Sequence, residues 1–83
     1  MKNIDVVRAF VSGRDSKSTQ HLRIEGNSLI NYTTIIARRV FDPEIKTWRI
    51  EMRGERFSVT TSRIQSYIRF ETPQNLLSTY FVK

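Results

Sequence analysis

Eighty-three residues are enough for one small domain and too few for two cores. Hydrophobic residues make up 39 % of the chain, including one Trp, three Tyr and five Phe, which excludes a disordered composition and supplies one modest core. Cysteine is absent, excluding disulfides and thiolate metal sites, and fourteen Lys and Arg against eight Asp and Glu leave a net charge of +6. Ten of the fourteen basic residues are arginine. Arginine suits two-point grips on phosphate or carboxylate, and a basic field steers polyanions to a surface. An anionic partner is therefore expected, nucleic acid or an acidic protein surface, over charge that merely maintains solubility. The start, Met1 to Arg8, has no long apolar run of the signal-peptide or membrane-span kind, so the expected setting is the cytoplasm, with no membrane partner.

In chain order, Asn3 is a good N-cap and Asp5 sits early in the next turn, where negative charge suits the helix dipole. Ile4, Val7 and Val11 repeat with helical spacing beside Phe10, and Gly13 closes the segment, so residues 3–12 read as a short amphipathic helix. Arg14 to Gln20 is entirely polar and reads as a loop. From His21 to Glu25 the chain alternates, with Leu22 and Ile24 on one face, and Gly26-Asn27 signals a hairpin. Leu29 to Phe41 reads as one long β-branched strand. A three-residue loop, Gly26 to Ser28, would set Ile30, Tyr32 and Ile36 on the face of Leu22 and Ile24, whereas a two-residue loop would set Asn31 and Thr33 there. Burial favours the longer loop. Leu29, Ile35 and Ala37 then fall on the opposite face, as partial cover or a contact surface.

Asp42-Pro43 marks a turn. Thr47 to Arg53 is the clearest strand, Trp48, Ile50 and Met52 facing the core and Thr47, Arg49, Glu51 and Arg53 facing outward. Gly54-Glu55 suits a tight turn before a short strand holding Phe57 and Val59. A second helix is expected from about Thr61, with Ser62 and Gln65 spaced as a capping box and Ile64, Tyr67, Ile68 and Glu71 at helical intervals. Pro73 ends or restarts it, and the apolar tail after it has no readable conformation. The expected architecture is a single α+β domain over residues 1–83, its core roughly 3–71 and its tail 72–83. An N-terminal helix precedes a three- to four-stranded antiparallel sheet, and a C-terminal helix packs on one face.

Enzyme signatures are missing. His21 is the only histidine and has no adjacent carboxylate, the carboxylates are scattered, and no phosphate-binding glycine loop, nucleophile elbow or metal motif occurs. A non-enzymatic protein without a cofactor is expected. Arg49 to Arg69 holds five arginines around a hydroxyl run. Arginine forks beside a helix N-terminus suit an anion. Thr60, Thr61, Ser62 and Arg63 read first as a helix cap and second as an anion site. Arg23, Arg49 and Arg53 share an outward sheet face with Glu25 and Glu51, and Arg56 follows in the turn. That face reads as a phosphate-contacting surface or as a solvated, salt-bridged one. Placing Trp48 in the core argues against base stacking. Pairing of an edge strand with a second copy is a further expectation.

The segments "LRIEGNSLINYTTIIARR" and "FSVTTSRIQSYIR" resemble a family of small, functionally uncharacterised proteins from phages, prophages and plasmids of Gram-positive bacteria. The resemblance spans about residues 21–69 and rests on Gly26, Asn27, Leu29, Asn31, Tyr32, Thr34, Ile36 and Ala37, then Ser58, Thr60, Thr61 and Ser62, with Phe57 where the family has tyrosine. It implies a mobile-element origin and no activity of its own. Proteins of that size and origin often block host machinery, anti-CRISPR and other anti-defence inhibitors among them. The expected function is thus binding of nucleic acid or a host nucleoprotein complex through an arginine-rich surface. The alternative is a protein-directed inhibitor of a host factor, anchored through Leu29 and Ile35 or an exposed strand edge.

Overall fold

A computed structural model describes residues 2–14, 18–55 and 59–80 of the chain. Helix α1, Asn3–Val11, leads into β1, Leu22–Glu25, β2, Ser28–Asn31, β3, Thr34–Asp42, and β4, Thr47–Arg53. Helix α2, Val59–Glu71, follows, then a single 3-10 turn, Gln74–Leu76, and β5, Leu77–Tyr80. The α+β class is as expected, but the sheet has five strands, ordered β1-β2-β3-β4-β5, and it is mixed. Strands β1 to β4 pair antiparallel, and β5 lies parallel to β4. A parallel pair needs a crossover of a dozen or more residues, and α2 supplies it. The tail therefore contributes a strand to the sheet, Leu77–Tyr80, with Leu77 packed against the core.

The expected long strand from Leu29 to Phe41 is in fact two. Tyr32 adopts φ 57° and turns the chain back, so Asn31 pairs with Thr34. The first hairpin also takes the two-residue loop, since Glu25 pairs with Ser28 and Leu22 with Asn31. That register puts Asn31 on the core face, where the amide is tolerated because its Nδ2 donates to Thr61 Oγ1 at 2.6 Å. Leu29 is consequently core, while Ile35 stays exposed on the other face, so the two make no joint anchor. A register shift between Leu29 and Ile30 lets Ile36 and Ala37 both bury fully, as two residues opposite one do at a bulge.

Both helices cover one face. Val6, Val7 and Phe10 from α1, with Ile64 and Ile68 from α2, close on Leu22, Leu29, Ile36, Ile50 and Met52. Each such burial is worth about 1.5–3 kcal/mol. On α2, Thr61, Ile64, Gln65 and Ile68 form the buried stripe at helical spacing. This helix begins at Val59 rather than Thr61, which places Ser62 inside it and turns Gln65 from a cap into a tether: its Nε2 donates to Arg53 O and Glu55 O. Val59 is thus helical, and the rest of the expected short strand, Phe57, lies outside the described residues.

At the start of α1 the cap is Lys2, not Asn3; its N–H donates to Asp5 Oδ2 at 3.1 Å. Asn3 Oδ1 instead accepts from Thr19 Oγ1, and Thr19 Oγ1 accepts from Leu22 N–H, pinning the loop that leads into β1. At its far end, Gly13 N–H reaches Phe10 O and Arg14 N–H reaches Ala9 O, a Schellman closure with Gly13 at φ +82°. Arg8, in the last turn of α1, bonds Glu71 at the end of α2 (Nε–Oε1 2.7 Å). Glu71 raises the Arg8 pKa, by that hydrogen bond first and by its charge second. The helices therefore run side by side in the same direction, with both N-termini at one end of the molecule.

Candidate anion-binding surfaces

The outward sheet face gathers Arg23, Arg38, Arg49 and Arg53, and each lies against a carboxylate. Arg23 Nε is 3.0 Å from Glu25 Oε2, and its Nη1 donates to Tyr32 O at 2.7 Å. Arg38 Nε is 2.6 Å from Glu51 Oε1, and its guanidinium lies 4.6 Å from the Tyr80 ring centroid. The Glu51 hydrogen bond and charge raise the Arg38 pKa. Arg49 Nε lies 3.0 Å from Asp42 Oδ2 at an angle that leaves an ion pair without a hydrogen bond, and Arg49 Nη2 is 3.8 Å from Glu51 Oε2. Arg53 pairs with Glu55. Surface pairs of this kind, exposed or half-buried, stabilise little, about 0–1 kcal/mol each, but they cancel charge. Four arginines and four carboxylates leave this face close to neutral.

The uncompensated charge lies elsewhere. Among the described residues Lys2, Arg14, Arg39, Lys46, Arg63 and Arg69 are in no ion pair. Two of these, Lys2 and Arg63, flank an open groove of about 480 Å³ between the helix N-termini. Among the described residues Asn3, Ile4, Val59, Thr60 and Tyr67 complete its lining, and none of them is a carboxylate. The first-turn N–H groups of a helix and its positive dipole end both favour an anion, and here two such ends converge.

The expected site residues thus divide. Thr60 and Arg63 meet at the groove, joined by Lys2, which composition alone did not single out. Thr61 is buried and faces Asn31 within the core. Ser62 is half-buried on the far side of α2, beside Ser66 and Arg69 in a shallow depression with Gly54 and Glu55. Arg23, Arg49 and Arg53 stand on the paired sheet face. Arg56 lies outside the described residues.

Trp48 departs most from its expected place. It is on the helix-facing side, as its alternation indicates, yet 40 % exposed, because the helices do not cover that end of the sheet. Phe41, 47 % exposed, meets it edge-on with centroids 5.6 Å apart. The Arg39 guanidinium lies 4.6 Å from the Trp48 centroid.

No protein-family model, curated protein or solved structure matches the chain. Among the described residues, no helix is long and apolar enough to cross a membrane.

Proposed function

We propose that this chain is a non-enzymatic binding protein, of phage or other mobile-element type, that engages nucleic acid or a nucleoprotein complex. The observation that carries the reading is the groove where Lys2, Thr60 and Arg63 meet two helix N-termini with no carboxylate among the described lining residues. Phosphate matches that surface in charge and in hydrogen-bond demand. The neutralised sheet face supports moving the contact from Arg23, Arg49 and Arg53 to the helix ends. Gel-shift titrations on DNA and RNA test it: binding at low salt that falls steeply as salt rises is expected, because phosphate neutralisation releases counterions. No shift on either at low salt would overturn it.

A second reading, a protein-directed inhibitor of the anti-defence kind, is favoured by Val59 and Phe70, which stand 78 % and 80 % exposed on α2. Large apolar side chains in that position suit a protein partner's pocket. A pull-down from host lysate separates the readings, since a protein partner survives nuclease treatment and a nucleic-acid bridge does not.

A further inference from the structure

At the end of the molecule opposite the groove, Arg39 is held in an unusual setting. Its guanidinium lies over the Trp48 ring and also close to Gly13, where an added Cβ would come within 2.8 Å of Nη2. Only a residue without a side chain leaves Arg39 that berth. Arg39 Nε is buried and has no hydrogen-bond partner, and no carboxylate pairs with the guanidinium among the described residues. Beside it a pocket of about 240 Å³ is lined, among the described residues, by Arg39, Arg14, Gly13, Phe10, Ile24 and the Gly26-Asn27 turn, none of them a carboxylate. Of the nearby acids among the described residues, Asp42 lies on the outward face against Arg49, and Glu44 sits exposed in the following turn. Phe41 and Trp48 border Arg39 with two half-exposed rings.

Two uncompensated arginines beside two exposed aromatic rings match a phosphate joined to a base. Stacking needs an open base face, which a duplex withholds and a single strand offers. We propose that this end of the sheet is a docking site for unpaired nucleotides of a single strand, with Arg14 and Arg39 on the phosphate and Trp48 and Phe41 on the base. The proposal rests on the nucleic-acid reading and adds strand selectivity, which the helix-end groove does not supply.

Trp48 is the only tryptophan, so its fluorescence reports on this site alone. The test titrates the whole protein with an oligothymidylate of about ten nucleotides and with a duplex of equal length, a span of the order one small domain covers. Quenching by the single strand, and much less by the duplex, is expected. Phe41→Ser should weaken single-strand binding roughly tenfold, within the range for loss of one stacked base, and leave duplex binding nearly unchanged. Arg14→Ala, at an exposed position, should weaken single-strand binding and lower the salt slope by about one. Unchanged circular dichroism in both variants ties these effects to the site. Single-strand binding without quenching, or equal response to the duplex, overturns the proposal and leaves the groove reading standing. No binding to any nucleic acid overturns both. A dimer that Phe41→Ser dissolves would assign the patch to a second copy of the chain and overturn the proposal.

Discussion

Asn31 and Thr61 show how one polar pair sets a strand register. The amide is 2 % exposed, and its Nδ2 has Thr61 Oγ1 as acceptor. Thr61→Val strands a buried donor and is expected to cost about 1–3 kcal/mol, read by urea unfolding. Replacing both partners, Asn31→Val with Thr61→Val, should recover much of that loss, since the buried amide donor goes together with its acceptor. A double variant no more stable than Thr61→Val would show that the register has another origin. Gly13 is the second such position. Gly13→Ala forces an L-residue to φ +82°, at a cost of about 1–2 kcal/mol, and pushes Arg39 off Trp48. A lowered melting temperature together with altered tryptophan emission is the expected pair of results. Loss of stability without a spectral change would separate the backbone cost from the arginine contact.

Element by element, the chain could be read wherever period and turn chemistry agreed. The Ile4–Val7–Phe10–Val11 stripe with Gly13 gave α1, the Gly26-Asn27 turn gave the first hairpin, and Thr47 to Arg53 gave β4. The break at Tyr32 was hidden because tyrosine in the left-handed region carries no glycine-like signal, and β-branched residues continue on both sides. β5 was hidden because its pairing depends on where α2 returns the chain, a tertiary fact absent from the local pattern. Trp48 obeyed its alternation, but its exposure is decided by how far the helices reach over the sheet. Half of the candidate site was likewise readable: Thr60 and Arg63 follow from the hydroxyl run, while Lys2 joins them only once α1 and α2 lie in parallel. Gln65 binds these elements together. Gln65→Ala removes two hydrogen bonds from α2 to the end of β4, and a loss of about 1–2 kcal/mol in chemical denaturation is expected. No loss would mean the helix is held by its apolar stripe alone.

Across the whole molecule, charge is sorted by compensation rather than by count. A residue tally draws attention to the sheet arginines, but their carboxylate partners cancel them, and the surplus lies elsewhere, Lys2 and Arg63 of it at the groove. Arg63→Ala should therefore lower the slope of log affinity against log salt by about one, while Arg49→Ala, which removes a compensated charge, should leave that slope nearly unchanged. Equal effects from the two substitutions would return the contact to the sheet face.

The parallel return of β5 also decides how the molecule can be held. Gly54 N–H meets Tyr80 O, and Val59 shares a groove wall with Lys2, so both ends of the described chain emerge at the groove end. A tether or affinity tag ahead of Lys2 would crowd that groove, while the Phe41–Trp48 tip would point away from the support. Immobilised protein should then retain the single-strand contact and lose the groove contact, so the two surfaces can be assayed separately without altering a residue of either.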